Sequence, residues 1–318
     1  MRKKYIYLGV FVLLILAAVW AVTSSWEGKP KEDDDKIYVV ASLFPWYDLA
    51  REIGGAKVGV SLPLPPGVEA HSFEPTPNDM INIGGASLFV YTGDYLEPWA
   101  SDIISSLGNG APSSSALGEG YATLEDDDEH EGEEADEEEE GHGVDPHIWL
   151  DPVIMSKAAD RLAQKLGEVD SENTEYYNSR AEDYTARLAA LDSDYREGLS
   201  SCELKDLIYA GHFAFGYLAD RYGLQHEAAQ GFSPDAESNP NRLIELTNLL
   251  REKQAEYVFT EATDSRNLAE ALASEANVSI LTLNSAHNLS REDLRAGLTY
   301  ERIMRENLEK LKLGLKCQ

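Results

Sequence analysis

Residues 125–152 read EDDDEHEGEEADEEEEGHGVDPHIWLDP, and two very different kinds of sequence meet within them. The first eighteen residues hold thirteen carboxylates and two histidines, His130 and His142. Almost nothing apolar is present there to offset the entropy lost on ordering, so we predict a mobile acidic histidine loop at 119–143. DPHIWLDP has an apolar centre between two Asp-Pro steps that restrict the backbone. His147 is thus predicted on a rigid frame beside a cation-attracting segment, which suggests metal capture.

Before this stretch, short apolar runs alternate with helical patterns. Strands are predicted at residues 37–43 (IYVVASL), 58–64 (VGVSLPL) and 87–93 (SLFVYTG), with a weaker one at 113–117. Helices are predicted at residues 45–53, 77–83 and 96–107. Such alternation is typical of a parallel sheet with helices on both faces. We therefore predict an N-terminal α/β lobe over residues 37–152.

After this stretch, residues 155–199 contain almost no glycine or proline, and their apolar residues recur at helical spacing. A break near Gly167 divides this region, and its second part is long enough to bridge two domains. We predict a helical spine over residues 153–200 and a second α/β lobe over residues 201–318. Its strands are predicted at 207–210, 224–229, 257–260 and 278–283, with helices at 213–222, 242–253, 267–276 and 300–315.

The fold class predicted from these patterns is α/β, with two lobes joined by a long backbone helix. Each lobe has a mainly parallel four-stranded sheet with flanking helices. A ligand bound beyond the carboxyl ends of the strands would lie in the cleft between the lobes.

The N-terminus carries MRKK and then an uncharged, mostly apolar run at residues 5–21. This run is either a cleaved export signal or a membrane anchor, and the sequence leaves both open for residues 1–22. A polar linker follows at residues 23–36. In both cases the rest of the chain is expected outside the cytoplasm, either anchored to the membrane at the cell surface or secreted as periplasmic proteins are.

The formal net charge is -30, and it stays at -17 without the thirteen loop carboxylates. Such a surface repels nucleic acid and attracts cations, although acidity also serves solubility alone. The two cysteines, Cys202 and Cys317, either pair in an oxidising compartment or remain free thiols. Their spacing does not match a Cys/His zinc site.

Four of the seven histidines follow a predicted strand or precede a predicted helix: His71, His147, His212 and His287. Two come from each half of the chain, so a cleft between the lobes would bring them together. Imidazole suits zinc, copper, nickel and iron, and four nitrogens fill a tetrahedral zinc shell. A filled shell leaves no position for an activated water, which favours binding over catalysis. The simpler alternative for each histidine is an ordinary core or loop residue.

The chain resembles the zinc and manganese branch of the solute-binding proteins of ABC transporters. The resemblance covers nearly the whole predicted exported part, through VVASLFPWYDLAREIGG, GVEAHSFEPTPNDM, SLFVYTGDYLEPW, DPHIWLDP, HFAFGYLADRYGL, GFSPDAESNP, VFTEATDSRNLAEALASEANV and YERIMRENLEKL. It implies two α/β lobes around one long helix, metal held between the lobes, and delivery of the metal to a permease and its ATPase. The family's first three ligand positions fall on His71, His147 and His212.

The third and fourth ligand positions bear on the choice of metal. Manganese-type relatives tend to have a carboxylate at the third position, so His212 implies zinc, with manganese as the alternative. At the fourth position the sequence LTLNSAHNL departs from the family. One alignment places His287 on the family's carboxylate, and another places Asn284 on its aspartate. We favour His287, because Asn is a poor zinc ligand. A water or another loop residue is the remaining alternative.

Carboxylates near the histidines are expected to orient the imidazole rings through the second ring nitrogen. The candidates are Glu74, Asp145, Asp151 and Glu261. For Asp151 a helix cap, and for Glu261 a solvated side chain, is the simpler expectation. His130 and His142 either collect zinc for the cleft or merely belong to a polyelectrolyte that concentrates cations.

Other classes of function fit less well. An extracytoplasmic metallohydrolase would need an open metal position and a placed general base, and the sequence has no HExxH motif. The motifs GxSxG, GxxxxGKS/T and GxGxxG are also absent from it. Passive metal buffering or adhesion is a third class.

Overall fold

Two parallel sheets of the same strand order form the framework of the protein. The computed structural model describes residues 36–124, 143–233, 239–261 and 267–318. The predicted α/β fold with two lobes is confirmed. The N-terminal segment 1–35 and most of the predicted acidic loop, with His130 and His142, lie outside the described residues.

The first sheet has the order β2-β1-β3-β4, with every pairing parallel. Its strands are β1 (Ile37–Ala41), β2 (Val58–Ser61), β3 (Leu88–Tyr91) and β4 (Ser113–Ala116). In the central strand β1, Val39 lies opposite Val60 on one side and Leu88 on the other. Because helices cover both faces of a parallel sheet, its central strands are continuous apolar runs. Such runs can be recognised in the sequence.

Three helices connect these strands: α1 (Phe44–Gly54), α2 (Pro77–Gly84) and α3 (Pro98–Leu107). Helix α2 begins with a capping box, in which Thr76 and Asp79 bond each other's backbone N–H groups. Helix α3 begins at Pro98, two residues later than predicted. The preceding Glu97 is 1% exposed and accepts hydrogen bonds from the backbone N–H groups of Thr92 and Gly93. These bonds hold Glu97 in the turn that joins β3 to α3.

The spine consists of α4 (Pro152–Val169) and α5 (Thr174–Ser200), with a short 3-10 turn between them. Helix α5 contacts both lobes. Near its start, Arg180 donates to the carbonyl oxygen of Glu52 in the first lobe at 2.6 Å. Near its end, the hydroxyl of Tyr195 donates to the carbonyl oxygen of Met304 in the second lobe at 2.6 Å. This helix therefore links the lobes along its length.

The second sheet has the order β6-β5-β7-β8 and is also parallel throughout. Its strands are β5 (Asp206–Tyr209), β6 (Gln225–Ala228), β7 (Tyr257–Glu261) and β8 (Ser279–Leu283). Its helices are α6 (Gly216–Tyr222), α7 (Pro240–Glu252), α8 (Asn267–Ala276), α9 (Arg291–Arg295) and α10 (Tyr300–Gly314). The short α9 was not predicted. Helix α6 begins later than predicted, because residues 210–215 form the loop that carries His212.

The lobes also meet through a buried carboxylate. Asp48 on α1 is 2% exposed and accepts the backbone N–H of Tyr300, at the start of α10, at 2.8 Å. Burial raises the pKa of Asp48 to about 6. The described residues between 37 and 318 cluster as one compact unit. Among the described residues, no helix combines the length and apolar character needed to cross a bilayer.

Cys202 and Cys317 form a disulfide, which decides between the two alternatives that the sequence left open. The bond joins residues 115 apart in sequence and closes the second lobe, from the segment before β5 to the end of the chain. Cross-linking a loop of this length restricts mainly the unfolded chain.

We expect replacement of both cysteines by serine to lower the free energy of unfolding by about 2 to 5 kcal/mol, since the unfolded chain regains the freedom that the disulfide removes. Urea unfolding of the two proteins measures the difference. A reductant should destabilise the wild type by a similar amount and leave the Cys202→Ser/Cys317→Ser protein unaffected. Equal stability of both proteins without reductant would contradict the assignment.

Candidate metal centre

Three imidazoles converge between the two lobes. The Nε2 atom of His147 lies 3.2 Å from Nε2 of His71 and 3.3 Å from Nε2 of His212. One ligand atom from each of the three histidines lies within 4.8 Å of the others. His147 and His212 are 0% exposed, whereas His71 is partly exposed. The structure thus brings together three of the four histidines in the predicted set.

These distances match the geometry of a tetrahedral metal site. With metal–nitrogen distances of about 2.0 to 2.1 Å, the edges of the tetrahedron are about 3.3 to 3.4 Å long. The two Nε2–Nε2 distances, 3.2 and 3.3 Å, are close to that edge. A single ion between the rings would therefore contact all three nitrogens with little movement of the side chains.

His147 is held by its own segment, DPHIWLDP. Asp145 is 0% exposed, and its Oδ1 atom lies 2.7 Å from Nδ1 of His147 and accepts the backbone N–H of the same residue at 2.9 Å. Trp149 is also fully buried, and its Nε1 donates to the carbonyl oxygen of Ser285 in the second lobe at 2.7 Å. The rings of His147 and Trp149 meet edge to face, 5.4 Å apart. The apolar residues of this segment therefore fix the imidazole at the boundary between the lobes.

The other two histidines lie on loops at the carboxyl ends of strands. His71 lies on the loop between β2 and α2, and its backbone N–H donates to Oε1 of Glu69 at 3.1 Å. His212 follows β5, on a loop held by a hydrogen bond from the N–H of Phe213 to the carbonyl oxygen of Gly231 at 2.7 Å. This placement agrees with the rule that ligands of parallel sheets bind at the carboxyl ends of the strands.

His287 lies beside this cluster, on the loop after β8. Its ring is 6.1 Å from the ring of His212, and the side chain is almost fully buried. The Nδ1 atom bonds the hydroxyl of Ser285. The Nε2 atom has no hydrogen-bond partner in the described part of the chain, and it lies 3.8 Å from Oε2 of Glu69. In contrast, Oδ1 of Asn284 accepts the backbone N–H of Ala286 and holds the turn.

The predicted orienting carboxylates have different roles. Asp145 bonds His147 as expected. Asp151 caps α4, as the simpler alternative from the sequence had it, by accepting the N–H groups of Val153 and Ile154. It also pairs with Arg221. Glu74 is exposed.

Glu261 was expected more simply to be a solvated side chain, but it is buried, with 2% of its surface exposed. It accepts hydrogen bonds from the hydroxyl of Tyr209 and the backbone N–H of Ser285. Glu69 was missed altogether, although its place two residues before His71 in GVEAH was a signal that could have identified it. It is the carboxylate shared by the loops of His71 and His287.

Burial controls the protonation of the cluster. It lowers the pKa of His147 and His71 well below the usual value, and the neighbouring imidazoles lower both further. Neutral imidazole is the form that binds metal. When Asp145 is ionised, it accepts the Nδ1–H of His147, so that the lone pair of Nε2 faces the other two rings.

A family model described as the periplasmic component A of the zinc-uptake complex, ZnuA, matches residues 39–314. The chain belongs to this family. It is 36% identical over 316 residues to the high-affinity zinc uptake system protein ZnuA of Bacillus subtilis (strain 168), covering 99% of both chains. The resemblance inferred from the sequence motifs is thereby confirmed.

Solved structures of ZnuA-type proteins share the fold. The metal-dependent lipoprotein YcdH from Bacillus subtilis matches 88% of this chain and 99% of its own, with a TM-score of 0.75 and 35% identity. Zn(II)-bound AdcA from Streptococcus pneumoniae matches 89% of this chain with a TM-score of 0.75 and 30% identity. The present chain spans 58% of that AdcA chain, which is less than two thirds of its length.

We expect His71 and His147 of the metal-free protein to stay neutral at a pH where an exposed imidazole, with a pKa of about 6.5, is already protonated. The cause is burial, which lowers both pKa values. An NMR titration of the ring protons checks this, with the urea-unfolded chain as the control. A titration midpoint of either ring near that of the unfolded chain would contradict it.

The same shift affects stability in a defined direction. Because the folded-state pKa lies below the unfolded-state value, the unfolded chain binds more protons below about pH 6.5, and stability falls as the pH falls. For His71, this loss at pH 5.5 is at most about 1.4 kcal/mol. The His71→Asn variant should lose correspondingly less stability than the wild type between about pH 7.5 and 5.5.

Proposed function

We propose that this protein binds zinc outside the cytoplasm and delivers it to the permease of an ABC transporter, which a partner ATPase drives. One observation carries the proposal: the Nε2 atom of His147 lies 3.2 Å from that of His71 and 3.3 Å from that of His212, close to the edge length of a zinc tetrahedron. The names of the relatives support the choice of metal, since one is a zinc uptake protein and another was crystallised with Zn(II).

The proposed ligands are His71, His147, His212 and, as the fourth, His287. The first three already face one another. His287 is buried beside them, and its Nε2 atom has no hydrogen-bond partner among the described residues. A shell of four nitrogens favours zinc over manganese, which prefers oxygen ligands. Manganese is accordingly the weaker alternative.

Such a shell is suited to cargo binding rather than to catalysis. Four protein ligands close a tetrahedral zinc site, whereas hydrolytic zinc sites keep one position for water. Transport family membership points the same way. No specific observation favours the metallohydrolase alternative.

The location outside the cytoplasm is supported by the Cys202–Cys317 disulfide, since such bonds persist in oxidising compartments. The apolar run at residues 5–21 supports export, as a cleaved signal or as an anchor. The proposed role of His130 and His142, collection of zinc for the cleft, concerns residues outside the described part and stays a prediction.

We expect His147→Ala to weaken zinc binding by orders of magnitude, because it removes the ligand at the centre of the cluster and leaves Asp145 without its imidazole partner. Competition titration against a chromogenic chelator measures the affinity. His226→Ala is the control, since His226 packs among Phe213, Phe215 and Tyr209 outside the three-histidine group. It should have a far smaller effect.

Elemental analysis of protein purified without added metal accompanies this experiment. Zinc bound in equimolar amount, and displaced poorly by manganese, is the expected result. Unchanged zinc affinity in His147→Ala would refute the proposed site. Preferential recovery of manganese would favour the weaker alternative.

We also expect His287 to contribute the fourth zinc ligand. X-ray absorption spectroscopy of the zinc-loaded protein should therefore count one fewer histidine in His287→Ala than in the wild type. Glu69→Gln, which alters the carboxylate near both loops, should keep the full number of histidines. An unchanged histidine count in His287→Ala would assign the fourth position to another group.

A further inference from the structure

The hydroxyl of Tyr217 contacts the backbone on both sides of the segment 125–142. Tyr217 lies on α6 in the second lobe and is 4% exposed. Its hydroxyl oxygen accepts the backbone N–H groups of Thr123 at 2.9 Å and Leu124 at 3.2 Å. The same hydroxyl donates to the carbonyl oxygen of Asp145 at 3.1 Å. A tyrosine hydroxyl has one donor and two acceptor positions, so all three are used on the backbone of the first lobe.

These contacts fix the residue that orients His147. The backbone N–H of Asp145 donates to the carbonyl oxygen of Leu124 at 2.9 Å, so both backbone polar groups of Asp145 are bonded. The Asp145 side chain in turn lies 2.7 Å from Nδ1 of His147. A continuous path of hydrogen bonds therefore leads from α6 of the second lobe to a histidine of the metal cluster.

Gly216, the residue before Tyr217, provides the space for this approach. A Cβ atom at this position would lie 2.4 Å from Oδ2 of Asp145 and 2.5 Å from Cε1 of Phe213. Real Cβ atoms essentially never come so close to other atoms, so a larger residue would displace Asp145 or the first turn of α6. The close contact of Gly216 with Asp145 is therefore a requirement of packing at the boundary between the lobes.

We propose that Tyr217 is a positioning residue of the metal centre: it acts through Asp145 on His147, and Gly216 leaves room for that contact. Loss of the hydroxyl leaves two N–H groups and one carbonyl without their partner. Asp145 is then free to shift, and the Nε2 atom of His147 loses its fixed direction toward the other two rings. Changing a group that orients a ligand typically weakens metal affinity about 10- to 100-fold.

The proposal rests on the proposed zinc function, and its test compares two buried tyrosines. Tyr217→Phe removes the hydroxyl of the path. Tyr195→Phe is the matched control, because Tyr195 is 0% exposed and its hydroxyl donates to the carbonyl oxygen of Met304 between α5 and α10. Zinc affinity is measured by chelator competition. The visible spectrum of the cobalt-loaded protein reports the ligand geometry, and thermal unfolding of the metal-free protein reports stability.

We expect Tyr217→Phe to bind zinc about tenfold more weakly and to alter the cobalt spectrum. Tyr195→Phe should keep the affinity and spectrum of the wild type even where it lowers stability. Gly216→Ala provides a second variant, with weaker binding and an altered spectrum expected. The proposal is overturned if Tyr217→Phe, or Gly216→Ala where Tyr217→Phe does not fold, keeps the affinity and spectrum of the wild type.

His147→Ala, measured in parallel, separates this failure from failure of the proposed function. If His147→Ala binds zinc as the wild type does, the metal site itself is wrongly placed. If His147→Ala loses binding while Tyr217→Phe and Gly216→Ala retain it, only the positioning role is refuted.

Discussion

The buried hydrogen bond from Trp149 to the carbonyl oxygen of Ser285 is the contact on which the arrangement of the site depends. It attaches the segment that carries His147 to the loop that carries His287. Close to this bond, the hydroxyl of Tyr300 donates to the carbonyl oxygen of Trp149 at 2.6 Å. The indole rings of Trp149 and Trp46 pack edge to face. A polar indole nitrogen buried without a partner would be costly, so this geometry is specific as well as stable. This bond helps to hold the segment of His147 at the boundary between the lobes.

In the proposed site, the residues that bind the metal differ from the residues that balance its charge. Neutral imidazoles bring no negative charge, so the two positive charges of a bound zinc ion must be balanced from farther away. The buried carboxylates of Asp145 and Glu261 and the partly exposed one of Glu69 are suitably placed. Each is connected to a histidine or to the loop that carries one. In the proposed site a zinc ion would therefore be bound by nitrogen ligands with carboxylates behind them, an arrangement that suits zinc.

The sequence predicted the fold almost completely, and it predicted the site in part. The central strands are mostly apolar, and the same alternation of strands and helices occurs in both lobes, so these patterns identified both sheets. The edge strands β4 (SSSA) and β6 (QHEA) have few apolar residues. The convergence of His71, His147 and His212 followed from their places at strand ends or before a helix. Glu69 was not recognised, and Glu261 was named as a candidate but expected more simply to be solvated, because the contacts of both depend on loops distant in sequence. The Tyr217 hydroxyl bonds could not be predicted for the same reason.

The contacts between the lobes indicate how an ion reaches its ligands. Helix α5 is bonded to both lobes, Asp48 bonds the start of α10, and Asn288 donates to the carbonyl oxygens of Pro65 and Val68 at 2.9 and 2.7 Å. Opening the lobes as rigid bodies would break the bonds of Asp48 and Asn288 and also the bonds that join α5 to one of the two lobes. His71 is the one proposed ligand that is partly exposed, and it lies on a loop rather than on a helix or strand. A local movement of this loop would break fewer bonds than separation of the lobes, so we expect a metal ion to enter past His71.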